Sequence, residues 1–328
     1  MKVFKVNIIS LIIVTFFLNI PSGMKAQEGV PIYYDHLTDN LFLIHPAMAG
    51  ASFCNKIRLT GRMQWAGVKD FPMLQTLSLS SHLGSSSGYG FILFNDRNGY
   101  HSQKGIQLAF AQHLKLSRGR TLNQLSFGIS AMYVMHQLDQ TSFDPSDFDP
   151  VIAYTLQSEG YFNIDVGFAY HVQNFFLLGS VKNLLNMVRP LYSPGLENVN
   201  LRNYVGHIGY FIRTRGTFHI EPSFMVQYKE FNGNIIADGN LKFYHELPSG
   251  TFYWGASYRM YLDNSPYGSL QHISPLAGFY YKNFIITYIY THSIAGNTFG
   301  TGGFHQLSLG YNFGCKTVDP TYGCPHLR

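Results

Sequence analysis

Residues 161–170 read Tyr161-Phe162-Asn163-Ile164-Asp165-Val166-Gly167-Phe168-Ala169-Tyr170. Successive side chains in a β-strand point to opposite faces, so this stretch sorts into two sets. Phe162, Ile164, Val166, Phe168 and Tyr170 take one face, and Asn163, Asp165, Gly167 and Ala169 the other. The same period recurs down the chain. In 218–229, Phe218, Ile220, Pro222, Phe224, Val226 and Tyr228 oppose His219, Glu221, Ser223, Met225, Gln227 and Lys229. In 251–261, Phe252, Trp254, Ala256, Tyr258 and Met260 oppose Thr251, Tyr253, Gly255, Ser257, Arg259 and Tyr261. The last alternating stretch sets His305, Leu307, Leu309, Tyr311 and Phe313 against Gln306, Ser308, Gly310, Asn312 and Gly314. The apolar faces carry almost no charge. A water-facing sheet would carry Lys and Glu there, whereas a membrane barrel turns its apolar face to lipid and its polar face to the lumen.

Composition points the same way. Only 12% of the 328 residues are charged, against roughly 25% in ordinary soluble domains. Hydrophobic residues make up 46% and aromatics 16%, which excludes a disordered chain. Mean hydropathy is −0.02, and beyond the N-terminus no apolar run approaches the ~20 residues of a spanning helix, so a helical bundle is excluded. Interleaved lipid-facing and lumen-facing residues cancel to that value.

The first 26 residues read as an export signal. Lys2 and Lys5 form the basic n-region, Val6 to Ile20 the apolar stretch, and Ala26 precedes the expected cleavage point. Removing Lys2, Lys5 and Lys25 takes 23 basic residues to 20 against 18 acidic ones, a net of +2. Nothing in that balance suggests a nucleic-acid partner. Export into an oxidising compartment permits one disulfide among Cys54, Cys315 and Cys324. Cys315–Cys324 would close a small loop in the C-terminal tail, and Cys54–Cys315 would join the first and last strands. The tail pair is taken as the expected one.

Counting alternating segments predicts an all-β fold: a transmembrane antiparallel up-and-down β-barrel of about 14 strands, with an N-terminal coil or plug segment. The expected division is a signal peptide at 1–26, a periplasmic or lumenal segment at 27–55, the barrel at 56–314 and a periplasmic tail at 315–328. The sixth strand is expected over 161–172 and the eighth over 202–214. Short turns such as Gly84-Ser85-Ser86 and Val172-Gln173-Asn174 alternate with long connections at 138–160, 183–201, 262–273 and 294–303. Both termini then fall on the short-turn side, which faces the periplasm in bacterial barrels. Outer-membrane lipid is the surrounding partner.

An ordered set of motifs adds a resemblance. The set begins Tyr33-Tyr34, Asn40-Leu41, His45-Pro46-Ala47-Met48-Ala49-Gly50, Arg62-Met63-Gln64-Trp65 and Pro72-Met73-Leu74-Gln75-Thr76. It continues with Asn95-Asp96-Arg97-Asn98-Gly99, Leu125-Ser126-Phe127-Gly128, Asp149-Pro150 and Val181-Lys182-Asn183-Leu184-Leu185. Trp254-Gly255-Ala256-Ser257-Tyr258-Arg259 and His305-Gln306-Leu307-Ser308-Leu309 complete it. In this the chain resembles the PorP/SprF family of type IX secretion system outer-membrane proteins of Bacteroidetes. It departs at His45, where that family usually has Asn, and at Met48, where it usually has an aromatic. The resemblance implies an accessory barrel serving secretion or surface retention of cargo that carries a C-terminal sorting domain. Periplasmic components of the secretion system are further implied partners. The alternative from a different class is a barrel passing small solutes or hydrophobic compounds.

Alternation places Arg58, Arg62 and Gln64 toward the lumen, and likewise Asp238 and Lys242. With Asp165, Glu221 and Arg259 they are expected to form an ion-pair network across the barrel, because charges in a partly dry lumen must pair. Segment 27–55 lacks strand alternation, and a structureless stretch of that length calls for a docking task, as a lumenal plug or a periplasmic contact. Asp144, Asp147 and Asp149 offer hard oxygens but lack a closing Glu at EF-hand spacing, so they read as a solvated acidic turn. No zinc spacing, nucleophile elbow, phosphate loop or dinucleotide fingerprint is present, so neither catalysis nor a cofactor is expected.

Overall fold

In the computed structural model, every strand hydrogen-bonds to the strand before it and the strand after it, and the last returns to the first. The structure describes residues 40–65, 71–117, 122–141, 143, 154–186, 202–231, 233–262, 271–295, 303–315 and 325–327. Seven strands build one half: β1 Asn55–Gln64, β2 Met73–Leu83, β3 Ser87–Asn98, β4 His101–Lys115, β5 Asn123–Asp139, β6 Leu156–Val172 and β7 Phe175–Lys182. Strand β8 comprises Asn203–Tyr210 and its continuation Ile212–Arg213. The rest are β9 Phe218–Lys229, β10 Asn234–Leu247, β11 Gly250–Tyr261, β12 Gln271–Tyr281, β13 Phe284–Ala295 and β14 Phe304–Phe313. Antiparallel pairing of β14 with β1, from Asn55↔Phe313 to Gln64↔Phe304, closes the sheet into a 14-strand barrel. Closure leaves no edge in the hydrocarbon layer, where unsatisfied backbone groups are costly.

Burial follows the alternation. Leu59, Leu108, Phe127 and Phe284 point outward and are more than half exposed, while Arg58, Asp165, Asp238 and Gln227 point inward and are buried. No helix among the described residues is long and apolar enough to cross a membrane; the crossing elements here are strands.

The wall is uneven. Strands β5 and β6 have 17 residues each, whereas β7 and the first piece of β8 have 8. The sixth strand begins at Leu156 rather than at the expected 161, because β5 carries it upward through Asp139↔Leu156, Gln137↔Ser158 and His136↔Glu159. Polar and small residues there hide the strand from a hydrophobic reading. The eighth strand, expected as one piece, is interrupted at Phe211. On the facing strand β9 stands Pro222, which has no N–H to contribute to a ladder.

Candidate functional site

The lumen is filled from the short-turn end by the chain's own N-terminal segment. Two 3₁₀ turns, Leu41–Leu43 and Pro46–Met48, fold residues 40–49 into a plug in which every residue is buried. Pro46 suits the start of its turn, since its fixed φ fits and its missing N–H would go unused there. Leu41, Phe42, Leu43, Ala47, Met48 and Ala49 merge into one apolar cluster with lumenal wall residues including Ile92, Ala111, Val134 and Phe176. Ile44 packs separately with Val205 and Met225.

Small wall residues let the plug approach closely. Gly50, with φ +64°, lies against Gly88 of β3, so that a Cβ on either would strike the other's backbone. A Cβ at Gly128 of β5 would strike Pro46 and Ala47. Polar side chains on the wall meet both the backbone and the side chains of the plug. Asn40 Nδ2 donates to Ser78 Oγ at 2.8 Å, and Gly50 N donates to Ser80 Oγ at 2.8 Å. His113 bridges Ser126 Oγ at 2.8 Å and the Ala49 carbonyl at 3.0 Å. Ser180 Oγ contacts His45 Nδ1 at 3.0 Å and donates to the Ile44 carbonyl at 3.3 Å.

The hub of this arrangement is Asp165. Its carboxylate receives Gln107 Nε2 at 2.8 Å, Ser130 Oγ at 3.3 Å and the Asn183 backbone N–H at 2.9 Å. Lys182 Nζ lies 3.2 Å from it, and the same ammonium donates to the Leu43 carbonyl at 3.2 Å. One wall carboxylate thus connects through one lysine to the plug.

Of the residues expected to line the lumen, Arg58, Asp165, Glu221, Asp238, Lys242 and Arg259 are buried and Arg62 and Gln64 are half-buried, and two ion pairs join neighbouring strands. Asp238 and Arg259 form a two-point pair at 2.5 and 2.9 Å, and Glu221 sits 3.8 Å from Lys242. Both pairs stand directly opposite in register on neighbouring strands, Asp238↔Arg259 and Glu221↔Lys242, so each charge is answered by its nearest neighbour. Arg58 donates to the Ile57 carbonyl at 2.9 Å and to Asn312 Oδ1 at 2.8 Å. Arg62 lies 5.2 Å from the Phe304 ring centre, and Gln64 is half-buried at the rim. Motif and alternation name Lys182 and His45 and turn Tyr253 inward, but only the fold gives His113 a contact with the plug and Lys182 its place between Asp165 and the Leu43 carbonyl. Phe176, Leu178, Ser180 and Lys182 alternate inward on β7.

The disulfide is Cys54–Cys315, which corrects the expected tail pair, since Cys315 forms only one such bond. Asn55 stands opposite Phe313 across the barrel seam, so the register delivers the flanking cysteines to each other. Cys324 lies outside the described residues, as do the acidic turn 144–149 and the signal region. Just below the bond, Phe53 N and Ser52 Oγ both donate to the Leu327 carbonyl, at 2.9 and 3.0 Å, and Leu327 is buried. Among the described residues, no group of three or more His, Cys, Asp or Glu is placed to hold a metal ion.

A family model described as "Type IX secretion system membrane protein PorP/SprF" matches residues 26–311. No curated protein sequence matches the chain. Among solved structures, the CymD monoaromatic hydrocarbon channel is similar with a TM-score of 0.51 at 10% identity, covering 87% of this chain and 95% of that one. CdiB from Acinetobacter baumannii gives a TM-score of 0.41 at 9% identity, covering 79% of this chain and 60% of that one. At such identities the likeness concerns the barrel fold only.

Proposed function

Because the chain belongs to the PorP/SprF family of type IX secretion system membrane proteins, we propose that it serves as an accessory barrel in the outer membrane. In this reading it holds an exported polypeptide carrying a C-terminal sorting domain, for secretion or anchoring at the cell surface, and performs no catalysis. The observation that carries the reading is the plug. Residues 40–49 fill the lumen at the short-turn end, and the Cys54–Cys315 bond fastens their exit to the seam between β1 and β14. A barrel sealed in this way suits a platform, and the rim with the long connections is the part free to meet a partner. Periplasmic components of the system would meet the opposite, short-turn end. The rival function, passage of small solutes or hydrophobic compounds, would need a path through the packed cluster around Phe42 and Phe176.

Affinity purification from the native outer membrane tests the reading. We expect an exported polypeptide with a C-terminal sorting domain to co-purify, and that domain, expressed alone, to rebind the purified barrel. Recovery of the barrel without any exported polypeptide, together with steady ion conductance, would overturn it.

A further inference from the structure

The wall of the barrel has a notch beside β6. Strands β5 and β6 pair along their full lengths, from Asn123↔Val172 to Asp139↔Leu156. Strand β7 meets β6 only from Val172↔Phe175 to Val166↔Val181. Among the described residues, 156–162 therefore have a strand on one side alone. The Gln140 N–H donates to the Thr155 carbonyl, which sets the odd-numbered backbone groups of β6 toward β5. The Leu184 N–H donates to the Ile164 carbonyl at 2.8 Å, which sets the even-numbered groups toward the notch. The backbone N–H and C=O of Leu156, Ser158, Gly160 and Phe162 thus point into it, and no described residue bonds them.

The floor of the notch is built and fixed. Asn163 Oδ1 accepts from Ile164 N at 2.8 Å and Leu185 N at 3.0 Å, while its Nδ2 donates to the Leu185 carbonyl at 3.1 Å. Below, Arg202 donates to the Leu184 carbonyl at 3.2 Å and to Asn186 Oδ1 at 3.1 Å, and pairs with Glu230 at 3.2 Å. Among the described residues, pairing on this side of β6 stops at Asn163.

We propose that the edge of β6 from Leu156 to Phe162 seats an extended strand of the exported partner, which adds to the barrel wall by β-pairing. The proposal rests on the cargo-holding reading above and names where and how the cargo is held. Three observations select this occupant. First, a row of alternating donors and acceptors on an extended backbone is matched by another extended backbone. Second, a spanning strand needs ~9–11 residues, so counting upward from Val172 places Leu156 to Phe162 at and beyond the outer face of the membrane, where an arriving polypeptide can reach them. Third, of the devices that ordinarily guard an exposed edge, Leu156-Gln157-Ser158-Glu159-Gly160-Tyr161-Phe162 carries no Lys, Pro or bulge, and its single guard is the inward-facing Glu159, which a basic residue on an added strand would answer.

Side chains beside the edge define the strand it would take. Leu156, Phe162 and the neighbouring Tyr133 are exposed on the outer face, and Glu159 turns inward opposite His136. The fitting strand is apolar on its outer face and carries a basic residue on its inner one. A second copy of this barrel in the same membrane is disfavoured, because the notch lies directly above β7 and β8 and its body would have to overlap them.

The probe is the sorting domain identified by co-purification, expressed alone and added to the full-length barrel. The double variant Leu156→Pro and Ser158→Pro removes two N–H groups from the notch side and spares the odd-numbered bonds to β5. We expect it to bind about ten-fold or more weakly, and the Leu156→Ala and Ser158→Ala pair, which keeps both N–H groups, to stay within about two-fold of wild type. In the wild type, amide exchange at Ser158, Gly160 and Phe162 should be fast alone and slow once the domain binds. If the proline variant fails to assemble, this exchange measurement decides alone. Unchanged affinity in an assembled proline variant, or a bound domain that leaves those amides fast, overturns the proposal while leaving the cargo-holding reading intact. Slow exchange before any domain is added also overturns it, since the edge is then covered by the chain itself. Failure of the domain to bind wild type would instead refute the cargo-holding reading.

Discussion

Replacing Lys182 with Met would leave the Asp165 carboxylate fully buried without its cation. Three neutral donors would remain to it, Gln107, Ser130 and the Asn183 N–H. Breaking one side of a buried ion pair costs about 3–5 kcal/mol, because the surviving charge cannot return to water. Asp165 is 0% exposed, so the full cost applies here without discount for solvent screening. The Leu43 carbonyl loses its ammonium donor in the same change, so the plug loosens together with the wall. Denaturant unfolding of the purified barrel, followed by heat-modifiable gel mobility, should show Lys182→Met destabilised by about 3–5 kcal/mol. Adding Asp165→Asn removes the stranded charge and should restore at least about 2 kcal/mol, a coupling of the size seen between residues in direct contact. Two results would refute the reasoning: a single variant that loses less than about 1 kcal/mol, as a screened surface pair would, or a double variant no more stable than the single.

Three further expectations concern the plug, the seam and the faces of the wall. Gly128→Val forces a side chain into Pro46 and Ala47, and Gly128 is held by Ala111 and Gly167 on either side, so the plug must give way. The variant should lose about 1–3 kcal/mol and show channel openings in planar bilayers that the wild type lacks. Digestion without reductant should release a peptide pair joined through Cys54 and Cys315; Cys54→Ser should cost about 2–4 kcal/mol, and Cys324→Ser should leave that pair intact. Leu59→Arg puts a charge on the lipid face between Leu77 and Leu309 and should cost about 2–4 kcal/mol in lipid, whereas an unchanged unfolding midpoint would mean the faces are misassigned.

The sequence was most legible where a single physical demand acted on a whole strand. Lipid outside and a polar lumen inside impose the period-two pattern on Phe162 through Tyr170 and on Phe252 through Met260, so wall, faces and strand number could all be read. Legibility failed where partners distant in sequence decide the outcome. Leu156 to Gly160 form a strand because β5 extends beside them, although their own composition reads as loop. Cys54 pairs with Cys315 because closure brings Asn55 to Phe313, across a sequence separation of 261. Lumenal charges were recognisable one at a time, but their pairing depends on register, which placed Asp238 beside Arg259 and Asp165 beside Lys182. The plug was recognisable only as a segment that refuses to alternate. What revealed its seat was the glycines of the wall, whose role stays invisible until Gly50 meets Gly88.

That seat is where the account is most exposed to test. Purified wild-type barrel and a variant lacking 40–50 can be compared by ion conductance in planar lipid bilayers. The account predicts a silent wild type and steady open channels once the segment is removed. Equal, steady conductance from both would contradict it, since a lumen that passes ions around its own plug is not sealed.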